Sequence, residues 1–533
     1  MDEVTIRFGP SGRSITVPAG TSLLAAARSA GVAVDAPCNG AGTCGSCRVL
    51  AEGALSHLTR EEGELLGGAG VAAGKRLACR ARALGDVAVT VPEDADGIRI
   101  VTHAEGVELA VEPPSARGID ALGSVCGAAV DIGTTTIALE LVDLRTGATV
   151  AGAGALNAQR TAGADVMSRI AYASAGGADE LRRVVVGQIA ALAVDALATA
   201  GLEPGSLAEF VLVGNTAMLG LALGTDVTPL GSAPYAGAGL EAQRTSAPAL
   251  GLDAYPSADV YTLPCIGPFV GADITAGLLA TGLAGAAGPT LLLDLGTNGE
   301  LVLATDAGLV ATSTAAGPAF EGAAIECGMR ATAGAIERVE LDGDALALRV
   351  IGEREPAGIC GSGLVDLVAV LLDTGILEPD GRFAEAPAHP LGERLDERDG
   401  VRAFAVDDAS GIVLTQKDVR QVQLAIGAVR AGIGLLLAEA ALAPADVAGA
   451  IVAGGFGYHL RTASLIRIGL LPAEWTDRVR FAGNTALAGA RMALVNSAAR
   501  LAAGSLAGSV RTIDLAADPG FQERFLAALS FPQ

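Results

Sequence analysis

Aromatic side chains are scarce in this chain, at 3% of residues with a single tryptophan. A core for 533 residues must therefore be built from Ala, Val, Leu and Ile, within a hydrophobic content of 51%. Basic residues are also in deficit: 36 Lys and Arg face 59 Asp and Glu, for a net charge of −23. That balance argues against a nucleic-acid partner and for an acidic soluble protein. Long uncharged apolar runs are missing, since the best candidate, 426–442, is broken by Arg430 and Glu439. No membrane span is therefore expected. The first eight residues carry Asp2, Glu3 and Arg7 and lack the apolar centre of a secretory signal. The expected location is cytoplasmic, where the 8 cysteines would not form structural disulfides. The 72 glycines show no collagen-like period, so they read as turns and close packing.

Among what is present, the stretch 291–300, L-L-L-D-L-G-T-N-G-E, organises the rest. An apolar run reads as a buried strand, and Gly296 as a tight turn out of it. Gly296 and Gly299 let backbone approach closely. Thr297, Asn298 and the turn's N–H groups would face a phosphate, with Asp294 holding a metal-bound water above it. Alone, such a turn is equally compatible with an ordinary sheet.

A second copy raises its weight. Residues 129–140 read A-V-D-I-G-T-T-T-I-A-L-E, so Asp131, Gly133 and Thr134 repeat Asp294, Gly296 and Thr297, with Thr135 and Thr136 following. Strand-and-corner segments then recur at 211–216 (V-L-V-G-N-T) and 451–456 (I-V-A-G-G-F). Small-residue helices recur at 271–277 (G-A-D-I-T-A-G) and 483–489 (G-N-T-A-L-A-G), which predicts a close crossing. Two related half-domains follow. This ordered set resembles the sugar kinase, heat-shock 70 and actin ATPase superfamily over about residues 125–500. The resemblance implies ATP and Mg²⁺ at these loops. It also implies a purine against the glycines of 453–457, Gly454, Gly455 and Phe456.

The first ninety residues read differently. A hairpin over 4–17 precedes a helix over 22–30 capped by Thr21 or Ser22. Then come Cys38, Cys44 and Cys47 on one glycine-rich loop, and Cys79 after 31 further residues. Three thiolates on one loop plus a distant fourth suit a 2Fe-2S cluster, because glycines let the loop wrap it and aim N–H groups at its sulfurs. Zinc, or four unrelated thiols, is the alternative, although only one C-x₂-C pair is present. The segment 3–93 resembles ferredoxins, and its five-residue first gap fits the adrenodoxin type. Up to Asp94 there are 10 acidic and 9 basic residues, so the acidity lies further on. Arg48, Lys75, Arg76, Arg80 and Arg82 read either as a solvated surface or as a patch for an acidic redox partner.

Residues 94–124 read as a tether with little structure of its own, apart from an alternating stretch at 98–111. Cys126 reads as a small buried hydrophobe. Asp165 is either a helix-start residue or a general base for the attacking water. Gly317 and Glu321, in A-G-P-A-F-E-G-A, belong to a turn able to reach metal or nucleotide. Gly361 and Ser362 open a helix, either as a phosphate-side N-terminus or as a plain cap. Residues 380–410 read as an exposed excursion. Cys327 and Cys360 are buried free thiols or, on another reading, cluster ligands across a dimer, as in activators of 2-hydroxyacyl-CoA dehydratases.

A ferredoxin fused to this ATPase, with the wording G-N-T-A-M, F-V-G-A-D-I-T-A-G, D-L-G-T-N-G-E, I-C-G-S-G-L and A-G-G-F-G, resembles the reductive activators of corrinoid proteins along the whole chain. The implied architecture is α/β and multi-domain. A β-grasp ferredoxin (1–93) and a linker (94–124) precede two RNase H-like half-domains of the actin-like ATPase fold (125–288 and 289–533). The implied activity is ATP-dependent return of a corrinoid cobalt from Co(II) to Co(I), with Asp131 and Asp294 at the metal. The implied partners are a corrinoid protein and an external low-potential electron donor, with a homodimer left open. Larger members carry a further middle domain, for which the short linker leaves no room. A small-molecule kinase with a redox sensor, and a nucleotide-binding adaptor without turnover, are the other classes.

Overall fold

The computed structural model describes residues 3–30, 32, 34, 42, 47–91, 110–114, 125–237, 239–322, 325–398, 400–455 and 460–533. The chain divides into two compact units. One comprises Met1–Ala95, Leu156–Gln188 and Gly220–Ala238, and the other comprises the remainder.

The first unit opens with β1 (Glu3–Gly9), β2 (Arg13–Pro18), α1 (Leu23–Ser29), β3 (Arg48–Leu55), α2 (Arg60–Ala72), β4 (Lys75–Leu77) and β5 (Ala83–Thr90). The strands form one sheet in the order β2-β1-β5-β3-β4. Val4, Ile6 and Phe8 alternate into the core, as a half-buried strand requires. Of the two candidate caps for α1, Ser22 is the one used, accepting from Ala25 N. Glu62 of α2 is fully buried and takes Arg76 at 2.8 and 3.0 Å and Leu77 N at 2.8 Å. Removing either partner would strand a buried charge, so this pair fixes the turn after β4 where Cys79 sits. Arg76 is thus structural, and Arg82 donates to Gly20 O at 2.8 Å. Arg82 is nonetheless exposed.

The same unit contains α3 (Val166–Tyr172) and the start of α4 (Ala178–Ala200). Arg28 of α1 donates to the Thr161 carbonyl and lies 5.9 Å over the Tyr172 ring. The Tyr172 hydroxyl in turn donates to Glu180 at 2.7 Å.

The second unit holds the repeat. Its first sheet uses β6 (Cys126–Ile132), β7 (Thr136–Asp143), β8 (Thr149–Leu156), β9 (Leu207–Gly214), β10 (Arg244–Ser246) and β11 (Asp259–Thr262). The strand order is β10-β11-β9-β6-β7-β8. The helices α5 (Thr216–Leu223), α6 (Ala247–Leu250) and α7 (Ala272–Thr281) follow β9, β10 and β11 in the chain. Strands β12 (Thr290–Leu295), β13 (Gly299–Thr305) and β14 (Gly308–Thr314) begin the other half. Next come β15 (Ala335–Asp342), β16 (Ala345–Val350), β17 (Gly358–Ile359) and α8 (Gly361–Asp373). They are followed by β18 (Leu395–Arg398), β19 (Val401–Asp407), β20 (Ile412–Thr415) and α9 (Gln416–Glu439). The chain ends through β21 (Gly449–Ala453), α10 (Thr462–Arg467), β22 (Val479–Gly483), α11 (Thr485–Val495), α12 (Ser497–Ser509), β23 (Val510–Thr512) and α13 (Phe521–Ala527).

The second large sheet runs β22-β21-β12-β13-β14-β23. Its middle repeats the first sheet strand for strand. β6 pairs antiparallel with β7 and parallel with β9, while β12 pairs antiparallel with β13 and parallel with β21. Residues 211–214 and 451–453, from the two paired segments, therefore occupy equivalent strands. The glycine helices α7 and α11 also cross as expected. A Cβ at Gly489 would stand 2.1 Å from the Ala276 carbonyl oxygen, a backbone atom that cannot step aside. We expect Gly489→Ala to cost about 1–3 kcal/mol by overpacking. Gly434→Ala, where nothing lies within 4 Å of the new carbon, should be neutral or stabilising. Denaturant midpoints of the two variants check this, and a reversed order would refute the close crossing.

Two expectations need correction. Residues 380–410 are not simply an exposed excursion, because β18, β19 and β20 form a sheet and Phe383, Leu391, Phe404 and Val406 join the core. Charges and prolines around 385–400 mask the alternation of V-R-A-F-A-V-D. The tether is seated partway along: Glu112 N donates to Val495 O at 2.8 Å, and Asn496 donates to Ala110 O at 2.7 Å. Most of the alternating stretch at 98–111 lies outside the described residues. Two helical stretches, Val166–Ala200 and Gln416–Glu439, are long and apolar enough to cross a membrane, but 72% of the second one's apolar window is buried within the protein.

Candidate functional site

The turns that end β6 and β12 face one pocket in the second unit. Asp131, Gly133, Thr134, Thr135 and Thr136 line it from one half. Asp294, Gly296, Thr297 and Asn298 line it from the other. Glu321, Gly361, Ser362, Gly454 and Gly455 complete the expected set. Gly454 shows why a glycine is needed at its corner. It has φ +96°, and a Cβ there would lie 2.4 Å from Leu295 O and 2.7 Å from Asp294 Oδ1. Any other residue would push the corner off the aspartate.

The asparagines of the two G-N-T-A corners hold the carboxylate and hydroxyl in place. Asn484 donates to Asp131 Oδ2 at 2.9 Å, and its own oxygen caps α11 through Leu487 N at 2.8 Å. Asn215 donates to Thr134 Oγ1 at 3.0 Å and accepts from Met218 N at 3.0 Å. Each asparagine thus ties a helix start to a phosphate loop.

Five carboxylates line this space: Glu321 and four that are raised, Asp131, Asp273, Asp294 and Glu300. Burial is the first cause that raises them, and for three of them mutual repulsion adds to it. Asp131 rises to about 6, eased by Asn484. Asp294 rises to about 8, with Asp273 and Asp131 as the repelling neighbours. Asp273 and Glu300 are also pushed upward. Asp131 and Asp294 keep an edge open to the pocket and are packed in protein elsewhere. Among the described residues, Arg330 is the one cationic side chain in the lining. Such a site favours a divalent cation, which would reverse the repulsion. No three of the described His, Cys, Asp or Glu side chains converge on one ion position.

Some expected residues fall elsewhere. Asp165 belongs to the first unit, is exposed, and accepts from Ser168 N at 2.7 Å as the N-cap of α3. The helix-start reading of Asp165 is the one observed. Gly317 does not line the pocket but donates from N to Thr297 O at 3.0 Å. Ser362 is not the cap of α8; Cys360 takes that position, and Ser362 donates to Glu337 O at 2.8 Å. Phe456 lies outside the described residues. Asn215, Asp273, Glu300, Arg330 and Asn484 were given no role from sequence. The acidic residue three places into G-A-D-I-T-A-G was the available signal for Asp273.

At the thiols, Cys47 Sγ and Cys79 Sγ come within 3.3 Å of each other in the first unit. Cys38 and Cys44 lie outside the described residues. Two convergent sulfurs from separate segments fit a cluster's ligand set. Gly42, on the same loop, has φ +77°, and Arg80 Nε fills the place a Cβ would take, at 2.2 Å. Burial raises the other thiols: Cys126 to about 12, Cys265 to about 11, and Cys327 and Cys360 upward. A raised thiol is a small hydrophobe rather than a ready metal ligand.

Comparison with known proteins gives a consistent result. Residues 6–84 match the family of 2Fe-2S iron-sulfur cluster binding domains. Residues 126–286 match a family described as the RACo middle region, and 288–533 one described as the C-terminal domain of RACo, the ASKHA domain. The chain is 34% identical over 419 residues to the corrinoid activation enzyme RamQ of Eubacterium limosum, covering 76% of this chain and 70% of that protein. It is 27% identical over 404 residues to a Co(II) methylated amine-specific corrinoid protein reductase of Methanosarcina barkeri, covering 68% and 69%. A solved reductive activator for corrinoid, iron-sulfur protein superposes with a TM-score of 0.73 at 29% identity, covering 100% of this chain and 99% of that one. The match of residues 126–286 to the middle region corrects the expectation that a middle domain is missing.

Proposed function

The chain belongs to the family of reductive activators of corrinoid proteins, and on that premise we propose that it returns the cobalt of a corrinoid protein from Co(II) to Co(I) with the help of ATP. The observation that carries the reading is the pairing, in one chain, of convergent ferredoxin thiols with two phosphate turns around an acidic pocket.

Cys38, Cys44, Cys47 and Cys79 would hold a 2Fe-2S cluster, which supplies the one-electron chemistry when bound. Phosphates of ATP would lie between the two turns, with Thr134, Thr135 and Thr297 as donors and Gly133, Gly296 and Asn298 supplying backbone. Asp131 and Asp294 would hold Mg²⁺ through water, joined by Asp273 and Glu300. The purine would lie against Gly454 and Gly455, next to Phe456. Gly361 and Ser362 would present the start of α8. The ferredoxin at 1–93, the linker at 94–124 and the half-domains at 125–288 and 289–533 remain our division of labour. An external low-potential donor would refill the cluster.

Each 59 mV of uphill one-electron transfer costs about 1.4 kcal/mol. A nucleotide can offset that only through its differential affinity for the states it connects. ATP-bound protein should therefore bind the Co(II) partner with altered affinity, and the partner should in turn alter affinity for ATP. The test is spectroscopic titration of a cob(II)alamin-loaded corrinoid protein with the reduced protein, with and without Mg-ATP, at one donor potential. We expect Co(I) to accumulate only with Mg-ATP. Equal yields in both arms would mean the ATPase does not serve the reduction.

A further inference from the structure

The turn Pro318–Glu321 brings a carboxylate that neither phosphate turn supplies, and both turns hold it. Thr135 Oγ1 donates to Glu321 Oε2 at 2.6 Å, and Thr297 Oγ1 donates to Glu321 Oε1 at 2.6 Å. The two hydroxyl oxygens are themselves 3.1 Å apart. One carboxylate therefore bridges one hydroxyl from each half of the ATPase, between residues 162 apart in sequence.

The turn is built to aim that carboxylate. Ala319 and Phe320 are anchored in the core of the C-terminal half. Gly317 ties the turn's start to the Thr297 carbonyl at 3.0 Å. Gly322, at φ +68°, ends the turn against Met329, where a Cβ would meet the Met329 oxygen at 2.1 Å.

A threonine hydroxyl has one proton to donate. Thr135 and Thr297 cannot give theirs to Glu321 and to a phosphate oxygen at once. A carboxylate and a phosphate also repel where they share donors. We propose that Glu321 is a displaceable stand-in for phosphate. Its carboxylate competes with the terminal phosphates of ATP for Thr135 and Thr297, and nucleotide binding must break this clasp and shift the turn 317–322. This rests on reading the pocket as the ATP site. Glu321 then acts through the two threonines, as a positioning residue whose release reports that a phosphate has entered.

The test is calorimetric binding of Mg-ATP and of AMP to the full-length, cluster-loaded protein and to Glu321→Gln and Glu321→Ala. Removing the competing charge should tighten ATP binding by about tenfold, equivalent to one modest interaction. AMP, which lacks the terminal phosphates, should bind as before. A merely structural residue would weaken both ligands or neither. Unchanged or weaker ATP binding by both variants, with the wild type binding normally, overturns the proposal. That includes the case in which hydrolysis alone is lost, which would make Glu321 a general base. Failure of the wild type to bind ATP would instead refute the pocket assignment. Retained AMP binding and an unchanged thermal unfolding profile verify that the ATPase part of each variant is folded.

Discussion

Asp294→Asn should abolish ATP turnover, lowering it by about 100-fold or more, while the cluster's visible spectrum stays unchanged. Asp294 sits at the end of β12, packed in protein except at the pocket edge, among Asp131, Asp273 and Glu300. Its charge is costly there unless a cation accompanies it. The asparagine keeps the shape and removes the charge, so it separates metal holding from turn geometry. Turnover within a few-fold of wild type would overturn the assignment of Asp294 to the metal.

The same crowding gives a pH signature. Raised carboxyls contribute stability that is complete below their ordinary range and is lost as pH climbs through the raised values. For Asp131 and Asp294 those values are about 6 and about 8. Measured without divalent cations, the thermal midpoint should therefore fall from about pH 4 up to about pH 8, most steeply below about pH 6, where both groups contribute. Asp294→Asn should flatten that fall, because the most strongly raised group with a defined value is gone.

Asp131 and Asp294 were legible because their signal is local. A buried strand, an aspartate, a glycine and a threonine lie within a few residues, and the unit occurs twice. The matching order of β6-β7-β9 and β12-β13-β21 followed from the same repetition. Asp273, Glu300, Asn215 and Asn484 were not legible as site residues. Their roles depend on where α7, β13, α5 and α11 begin in space, and each could equally be a helix cap or an edge residue. Asn484 is in fact both a cap and a partner of Asp131. The seat of Ala110 and Glu112 is harder still, since it is made by Val495 O, the Asn496 side-chain amide and Ser497, more than 380 residues away. No local pattern encodes such a contact. Asp165 is the opposite case: a carboxylate that reads as a helix start or a general base, and that caps α3.

That seat changes how coupling between nucleotide and electron transfer can be pictured. The helix α11 begins at Asn484, against Asp131 in the pocket, and ends at Val495, which receives Glu112 of the tether. The Gly489 crossing packs its middle on α7, whose first turn carries Asp273. The helix α11 therefore joins the turn after β6 to the tether segment at Glu112. A two-state shift of such an element is the kind of connection coupling requires.

At the other end of the chain, Cys79→Ser should lose or strongly perturb the cluster and eliminate ATP-driven Co(I) formation. Wild-type protein should contain two irons and two sulfides per chain. Cys79 follows β4 in a turn closed by Arg80 N to Leu77 O at 2.9 Å, and Ala78 N donates to Cys47 O at 2.8 Å. The backbone thus clamps the two cysteine segments together, and their sulfurs meet at 3.3 Å. A serine oxygen is a shorter and harder ligand, poorly matched to iron that prefers thiolate. Cys265 is the control. Burial holds its thiol up at about 11, so it is neutral and not a ready ligand. Cys265→Ser should keep the full iron content and spectrum. Cys79→Ser should also keep its unstimulated ATP hydrolysis, because none of the residues lining the pocket comes from the ferredoxin strands. Iron and sulfide analysis, the visible spectrum and phosphate release, measured on the same preparations, decide the matter. An unperturbed cluster in Cys79→Ser, four irons per chain, or bound zinc in place of iron would each overturn the ligand assignment.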